Sequence, residues 1–242
     1  MFNKRTIRLE FAVGALAATL TLGGSSVASG QPAPREYIAA PDTYSVIVEN
    51  DQSVLVLGVL KPGQRTAFVS APTRLNYWLT DCQYRSVSRR GEATDWKMRQ
   101  GDAGSATTIE AISRENIGKS ECRVLSFEPK EPSVSAGKGA SAEKTPRSYV
   151  ASPNIFNVIA RNEQGVLVLA DWKPGQRSNQ YSQPARLSYS LTACALRFTK
   201  PKGLSWVNQF GAERGAAVAA DESISVENVG STECRVLIFQ PD

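Results

Sequence analysis

The chain has 242 residues, of which 41% are hydrophobic, 8% aromatic and 21% charged, with a formal net charge of +5 at pH 7. This composition is typical of a folded globular protein and excludes a disordered or fibrous chain. The sequence contains no His, which excludes a Ser-His-Asp triad, a Cys-His pair and an imidazole metal cluster. The length allows one large domain or two small ones.

The first 28 residues are predicted to be a cleaved signal peptide. Three basic residues lie before position 9, an apolar run occupies residues 11–22, and small residues then offer a cleavage site after Ala28. The apolar run is shorter than the ~20 residues that span a bilayer, and no later stretch is apolar enough to do so. We therefore expect an exported protein, secreted or periplasmic, without a membrane span.

The rest of the chain mixes charges of both signs and contains no dense run of Lys and Arg. Nucleic-acid binding needs a clustered basic surface, so no nucleic-acid partner is expected. The sequence leaves the oligomeric state open.

Two copies of one sequence pattern follow, at an offset of 112 residues. K-P-G-Q-R at 61–65 recurs at 173–177, and R-L-x-Y-x-L-T-x-C, E-N-(I/V)-G and E-C-R-V-L recur at the same offset. Internal repetition of this kind predicts two domains of the same fold. Their expected boundaries are 36–130 and 148–242.

Between the two domains, residues 131–147 are rich in Ser, Ala, Gly, Pro and charge, without aliphatic periodicity. This composition predicts a mobile linker. Residues 29–35, after the signal peptide, are predicted to form a similar mobile tail.

The pattern within each domain is that of β-strands. In the first domain, residues 45–49 and 54–60 are short β-branched runs bounded by turn signals, and further strands are predicted at 74–80 and 122–127. No helical pattern of any length is present. Repeated short strands at this spacing predict a small sandwich or barrel.

The order of the motifs resembles the cupin superfamily. A strand is followed by K-P-G-Q, a strand ending in Pro, R-L-x-Y-x-L, E-N-(I/V)-G and finally (T/S)-E-C-R-V-L, which is similar to the P-G-x-x-T-x-x-H-x-H-P opening and E-N-x-G-x-T-E close of small bacterial cupins. Because the resemblance covers both repeats, it implies a bicupin. The implied fold class is all-β, with two tandem jelly-roll barrels joined by a flexible linker, each with an inner cavity.

The resemblance also implies where cupins hold their metal, which is bound by two His and a Glu of the first motif and one His of the second. In this sequence those positions hold Val69, Ala71, Leu75 and Ile112 in the first domain and Tyr181, Gln183, Leu187 and Ile224 in the second. None of these is a carboxylate, imidazole or thiolate ligand. We therefore expect no metal, no other cofactor, and none of the metal-dependent dioxygenase or isomerase activities common in the family.

Four Cys in an exported chain predict two disulfides, for which three connectivities are possible. Cys82 and Cys122 are 40 residues apart, as are Cys194 and Cys234. In the cupin barrel the strands that carry each pair are antiparallel neighbours, so the resemblance implies the pairs Cys82–Cys122 and Cys194–Cys234. The absence of a C-x-x-C motif disfavours a redox or metal-binding role.

In the first domain the lining implied by the resemblance is apolar, which favours a filled core over a binding site. Tyr77 follows Leu75 at the strand period and is expected to point the same way. Arg114 lies two residues after Ile112 and is expected to bring a charge to the rim, or else to form a salt bridge with a neighbouring carboxylate. Tyr77 and Arg114 are the candidate ligand-binding residues of this domain.

The second domain is predicted to have the more polar cavity. Tyr181 and Gln183 can donate and accept hydrogen bonds, and Tyr189 is the counterpart of Tyr77. Apolar walls with a few convergent polar groups are typical of small-ligand pockets. We therefore predict that Tyr181, Gln183 and Tyr189 bind a small molecule, the alternative being that Tyr181 and Gln183 satisfy each other or backbone groups.

The function expected from these features is that of an exported small-ligand-binding or structural module with no catalytic residue. One alternative is a metal-independent isomerase or lyase acting on a small polar substrate through Tyr181 or a nearby carboxylate. Another is a protein-interaction module of the cell envelope. A fold hosts many functions, so the resemblance alone does not choose among them.

Overall fold

The structure is a computed structural model that describes residues 33–130 and 145–241. The predicted signal peptide and most of the predicted linker lie outside the described residues. Among the described residues, no helix is both long and apolar enough to cross a membrane. The described chain is nearly all strand, which confirms the predicted fold class of two jelly-roll barrels.

The two barrels contain the same elements in the same order. The first consists of α1 (Glu36–Ala39), β1 (Tyr44–Glu49), β2 (Ser53–Leu60), β3 (Val69–Ala71), β4 (Arg74–Trp78), β5 (Cys82–Ser88), β6 (Ala93–Met98), β7 (Ala103–Ala106), β8 (Ile109–Asn116) and β9 (Cys122–Pro129). The second consists of α2 (Ser148–Ala151), β10 (Phe156–Asn162), β11 (Gly165–Trp172), β12 (Tyr181–Gln183), β13 (Arg186–Ser190), β14 (Cys194–Thr199), β15 (Ser205–Phe210), β16 (Arg214–Val218), β17 (Asp221–Asn228) and β18 (Cys234–Pro241). Each helix is a single turn at the entrance to its barrel.

Each barrel is made of two antiparallel sheets that face each other. In the first barrel the strand orders are β1-β2-β9-β4-β7 and β3-β8-β5-β6, and in the second they are β10-β11-β18-β13-β16 and β12-β17-β14-β15. In each five-stranded sheet the last strand of the barrel, β9 or β18, lies between two strands from earlier in the chain. This crossing pattern is that of a jelly roll.

The two predicted disulfides are present. Cys82 bonds to Cys122 with a Cα–Cα distance of 4.8 Å, and Cys194 bonds to Cys234 with a Cα–Cα distance of 5.1 Å. Cys82 begins β5 and Cys122 begins β9, so this bond joins the four-stranded sheet to the five-stranded sheet. The second bond does the same in the second barrel, and both therefore hold one edge of a barrel closed.

The central strands of the five-stranded sheets are buried on both faces. All five residues of β4 are buried, and alternate side chains along a strand point to opposite sides of the sheet. One set faces the interior of its own barrel. The other set faces the second barrel and belongs to a separate core between the two barrels.

The two five-stranded sheets pack against each other through their outer faces. The buried cluster between them contains Leu55, Leu75, Tyr77, Leu125 and Phe127 from the first barrel and Leu167, Leu187, Tyr189, Leu237 and Phe239 from the second. Every residue of the first set has its counterpart 112 positions later. Phe127 stacks on its own counterpart, Phe239, with ring centroids 5.8 Å apart. The barrels are therefore related by an approximate twofold axis that passes near these two rings.

The interface departs from this symmetry at β16. A side chain at Gly215 would place its Cβ 2.6 Å from Cγ2 of Ile47, so only glycine allows β16 to approach β1 this closely. Nearby, the Arg123 guanidinium donates two hydrogen bonds to the Glu213 carboxylate, at 3.0 and 3.1 Å. The barrels are thus joined by an apolar centre and by an ion pair on one side.

Candidate ligand-binding sites

Each barrel encloses a cavity between its two sheets. The cavity of the first barrel has a volume of about 570 Å³ and that of the second about 490 Å³. Both volumes are in the range of small-molecule pockets. The expectation of a filled core in the first barrel is therefore wrong, because side chains outside the positions mapped from the family form most of the wall.

The lining of β4 is one residue out of phase with the sequence prediction. Arg74, Asn76 and Trp78 face the first cavity, whereas Leu75 and Tyr77 belong to the cluster between the barrels. A shift of one residue moves a side chain to the opposite face of a sheet. Tyr77 does point the same way as Leu75, but away from the cavity that it was predicted to line.

The same phase holds in β13 of the second barrel. Arg186, Ser188 and Ser190 face the cavity, whereas Leu187 and Tyr189 lie between the barrels. Tyr189 is 1% exposed and packed in that cluster, so it does not reach the second cavity. The structure thus separates Tyr189 from Tyr181 and Gln183.

Tyr181 and Gln183 line the second cavity, as the sequence predicts. Tyr181 is fully buried, and its ring packs edge-on against Phe156 with ring centroids 5.1 Å apart. The Gln183 side chain donates a hydrogen bond to the Ala219 carbonyl at 3.1 Å. The Tyr181 hydroxyl and the Gln183 Oε1 have no hydrogen-bond partner among the described residues. They therefore do not satisfy each other.

Arg114 lies in the first cavity and forms the salt bridge that was the alternative to a ligand-binding role. Its Nη1 donates to Glu36 Oε2 at 3.0 Å and to the Tyr44 hydroxyl at 3.1 Å. Burial tends to lower the pKa of Arg114, but the Tyr44 phenol and the Glu36 carboxylate outweigh it and raise the pKa above its ordinary value. Burial raises the pKa of Tyr44. Arg114 therefore has its partners within the protein, the Glu36 carboxylate and the Tyr44 hydroxyl.

A second ion pair lies beside the first. Arg35 donates to Glu128 at 3.1 Å, and the Glu128 side chain is completely buried. Burial and the nearby Glu36 carboxylate raise the pKa of Glu128 to about 7, against the attraction of Arg74 and Arg35. Burial lowers the pKa of Arg74, while Glu36 and Glu128 oppose that effect. Arg74 is thus a buried cation with two carboxylates close to it.

The second barrel has lost this charged group. At the positions of Glu36 and Glu128 stand Ser148 and Gln240, whose side chains form a hydrogen bond of 2.9 Å with each other. Val226 stands at the position of Arg114 and lines the second cavity. The cation at the Arg74 position is kept as Arg186, while both carboxylates are replaced by uncharged groups.

Arg186 is a buried charged residue in the lining of the second cavity. It is 5% exposed, and its Nε and Nη1 have no hydrogen-bond partner in the described part of the chain. Its Cζ lies 6.0 Å from the centroid of the Tyr181 ring, a distance at which a cation and a ring attract each other. Unsatisfied polar groups of four residues, Arg186, Tyr181, Gln183 and Trp172, therefore line one cavity.

The rest of the second cavity is apolar and aromatic. Phe198 stacks on Trp206 with ring centroids 5.5 Å apart, and Phe210 packs edge-on against Phe198. At the cavity wall, Lys200 pairs with Asp221 at 3.2 Å. The remaining wall is formed by aliphatic side chains, including Leu196, Ile224, Val226, Val236 and Ile238. This is the composition of a pocket for a molecule with an apolar body.

Several solved structures that are similar to this protein are oxalate decarboxylases. The Bacillus subtilis enzyme aligns over 82% of this chain and 71% of its own, with a TM-score of 0.51 and 13% identity. The Lactobacillus farciminis enzyme aligns over 79% and 77%, with a TM-score of 0.51 and 11% identity. A further oxalate decarboxylase structure gives a TM-score of 0.55 at 12% identity, over 82% of this chain and 72% of its own. The fold is that of a bicupin. No protein-family model matches the sequence, and neither does any curated protein.

The donor set of this protein does not fit a divalent metal ion. Of the positions mapped from the family, Val69 pairs with Ile112 across β3 and β8, and Tyr181 pairs with Ile224 across β12 and β17. Leu75 and its counterpart point out of the barrels. Within residues 33–130 and 145–241, no group of three His, Cys, Asp or Glu side chains is arranged to hold a metal ion.

Arg186, a buried cation of the second cavity, was not among the site residues predicted from the sequence. Arg74 and Arg186 recur at the repeat offset, but the phase assumed for β4 and β13 placed them outside the barrels. The replacement of Glu128 by Gln240 and of Glu36 by Ser148 was readable in the same alignment of repeats. A repeated Arg whose acidic neighbours occur in only one repeat is the signal that could have identified the site.

Proposed function

We propose that this protein is an exported, non-catalytic binding protein whose site is the cavity of the second barrel. The observation that carries the proposal is the set of unsatisfied polar groups of Arg186, Tyr181 and Gln183 in a cavity of about 490 Å³ with apolar walls. Buried polar groups in native proteins are nearly always hydrogen-bonded. A bound molecule is the partner that would satisfy these three.

The first cavity supports the proposal by contrast. Its two ion pairs, Arg114 with Glu36 and Arg35 with Glu128, bring carboxylates to the region of Arg74. Arg74 Nε and Glu128 Oε1 also lack a hydrogen-bond partner in the described chain, so the contrast with the second cavity is one of charge. We assign the first barrel a structural role.

Export is supported by the N-terminal sequence and by the two disulfides. Residues 1–28 have the charge and apolar pattern of a signal peptide. Disulfides such as Cys82–Cys122 form and persist in oxidising compartments. A secreted or periplasmic location follows.

A binding role without metal chemistry is supported by the donor set. The Bacillus subtilis oxalate decarboxylase has Mn(II) centres, whereas the mapped positions here carry aliphatic residues together with Tyr181 and Gln183. A divalent cation prefers carboxylate, imidazole or thiolate ligands. The scaffold is therefore proposed to bind an organic molecule directly.

Thermal unfolding of the purified protein against organic acids, sugars, aromatic compounds and metal ions tests the proposal. A ligand that binds only the folded state adds about 2.7 kcal/mol at a hundred times its dissociation constant. We expect one class of organic molecule to raise the melting temperature. The double variant Tyr181→Phe with Gln183→Ala should lose that shift. The matched control is Val69→Ala at the position of Tyr181 in the first barrel, which should lower stability and keep the shift.

A rise in melting temperature with a metal ion alone would contradict the proposal. No shift with any compound would also contradict it, and would favour a structural or protein-binding role. An equal shift in the control and the double variant would place the site elsewhere.

A further inference from the structure

We infer that the molecule bound in the second barrel is a small organic carboxylate whose anionic group pairs with Arg186. The inference rests on the proposed function and adds the chemical class of the ligand. The pocket would take an anion with an apolar or aromatic body and one hydrogen-bond donor.

The first step is the cost of an unpaired buried cation. Arg186 is only 5% exposed, and two of its nitrogens lack a hydrogen-bond partner in the described chain. Removing a guanidinium from water is unfavourable unless an anion compensates for it. In the described chain, no acidic side chain forms an ion pair with Arg186.

The second step is the comparison within the chain. In the first barrel, Glu36 provides negative charge near Arg74, and Glu128 adds to it when it is ionised. In the second barrel their positions hold Ser148 and Gln240, which bond to each other at 2.9 Å. The cation is kept while both of its carboxylates are absent. A carboxylate supplied by a ligand would restore the charge balance that the first barrel achieves with its own side chains.

The third step is where such a carboxylate would lie. In the strand ladder Leu187 is opposite Phe239, so the same register places Arg186 opposite Gln240. Directly opposed residues on one face of a sheet have Cβ atoms about 5 Å apart. Arg186 also lines the cavity. Gln240 occupies the place opposite Arg186, so a ligand carboxylate would lie on the cavity side of the guanidinium and accept charge-assisted hydrogen bonds from it there.

The fourth step concerns the rest of the ligand. The aromatic group of Phe198, Trp206 and Phe210 and the aliphatic wall favour an apolar or aromatic body. Gln183 Oε1 has no donor in the described structure, so a hydroxyl or amine on the ligand would satisfy it. Among the described residues that line the cavity, Asp221 is the only acidic one, and it is paired with Lys200 at 3.2 Å, which leaves Arg186 to the ligand.

The test is calorimetric titration of the full protein with phenylacetate and, in parallel, with phenylacetamide. The two probes have the same body and differ in the charge of the headgroup. We expect phenylacetate to bind at least about tenfold more tightly. Inorganic phosphate serves as a third probe, which has the charge without the apolar body, and should bind more weakly than phenylacetate.

Two variants of the second barrel test the role of Arg186. Arg186→Met keeps the apolar stem and removes the charge, and Gln240→Glu supplies an internal carboxylate like that of Glu128. Both should weaken phenylacetate binding by at least about tenfold. Arg197→Met is the control, because Arg197 is an exposed residue of the same barrel that pairs with Glu227. It should leave binding unchanged.

The possible failures are distinguishable. Equal binding of phenylacetamide and phenylacetate, retained in Arg186→Met, would overturn the carboxylate inference and keep the proposed function. Tighter binding of phosphate than of phenylacetate would overturn the inference that the ligand has an apolar or aromatic body. If neither these probes nor any compound in the thermal panel binds, the proposed function fails, and the inference fails with it.

Discussion

Gln240 lies opposite Arg186 in the ladder between β13 and β18, at the place that Glu128 holds relative to Arg74 in the first barrel. The replacement of Glu128 by Gln240 is therefore, with those of Glu36 by Ser148 and Arg114 by Val226, one of the differences in charge between the two cavities. Since an amide has no charge, it cannot neutralise a guanidinium. This difference links the sequence repeat to the assignment of a structural role to one barrel and a binding role to the other.

Replacing each of the two arginines by Met should have opposite effects on stability. Arg186→Met removes an uncompensated buried cation, and the free energy of unfolding without ligand should stay unchanged or rise by about 1 kcal/mol. Arg74→Met leaves Glu36 and Glu128 with less positive charge around them and should cost about 2 kcal/mol. Urea unfolding of both variants measures the difference. Equal losses in the two variants would contradict a binding role for Arg186.

Stability should depend on pH through Glu128. Because burial raises the pKa of Glu128 to about 7, the folded protein holds a proton there that the unfolded chain releases above about pH 4.5. The contribution of this group is fully present below that pH and is lost as the pH rises through about 7. The expected loss is about 3 kcal/mol.

Glu128→Gln is the variant that tests this titration, because the amide keeps the shape and does not ionise. Its unfolding free energy should fall less steeply between about pH 4.5 and 7 than that of the wild type. Glu36, Arg74 and Arg35 surround position 128 in both proteins. The difference between the two slopes therefore reports the titration of Glu128. Identical slopes would show that Glu128 is already ionised at pH 5.

Each disulfide should stabilise its barrel by a similar amount. Both close loops of 40 residues, for which chain entropy gives about 4 kcal/mol. Replacing Cys82 and Cys122 by Ala should therefore cost as much as replacing Cys194 and Cys234. Chemical denaturation of the two double variants measures the costs. Detection of two free thiols in the oxidised wild type would contradict the pairing.

The contact between Phe127 and Phe239 should couple the two barrels. Truncating either buried ring to Ala should cost about 3 to 5 kcal/mol, and the two losses should be non-additive by about 1 kcal/mol because the rings stack. A double-mutant cycle measures the coupling. Arg123→Ala, which removes a largely exposed ion pair with Glu213, should cost less than about 1 kcal/mol. Strict additivity of the two Phe variants would show that the rings do not interact.

The fold could be predicted because the same pattern of strands and motifs occurs twice in the sequence. The constant offset of 112 residues and the alternating strands predict two barrels, and the resemblance implies the pairs that the disulfides form. The sequence did not predict in the same way which side chains of β4 and β13 face the cavity. Both faces of these strands are buried, so the alternation that usually marks the core face is absent from their sequences.

The site was predictable only in part. Tyr181 and Gln183 lie in the second cavity, because they occupy the short strand β12 whose inner face the family pattern identifies. Tyr77 and Tyr189 lie between the barrels, which only the packing of one barrel on the other reveals. The role of Arg186 depends on what stands at position 240, far away in sequence and adjacent in space.

The most direct test of a ligand site at Arg186 is nuclear magnetic resonance of the arginine side chains during titration with phenylacetate. The Nε–H resonance of Arg186 should shift downfield and its exchange with water should slow as the carboxylate binds, because the hydrogen bond to the anion deshields that proton and protects it from solvent. The resonance of Arg74, which has its own carboxylates, should stay where it is. A titration that leaves Arg186 unmoved while phenylacetate binds, or that moves Arg74 instead, would contradict the account.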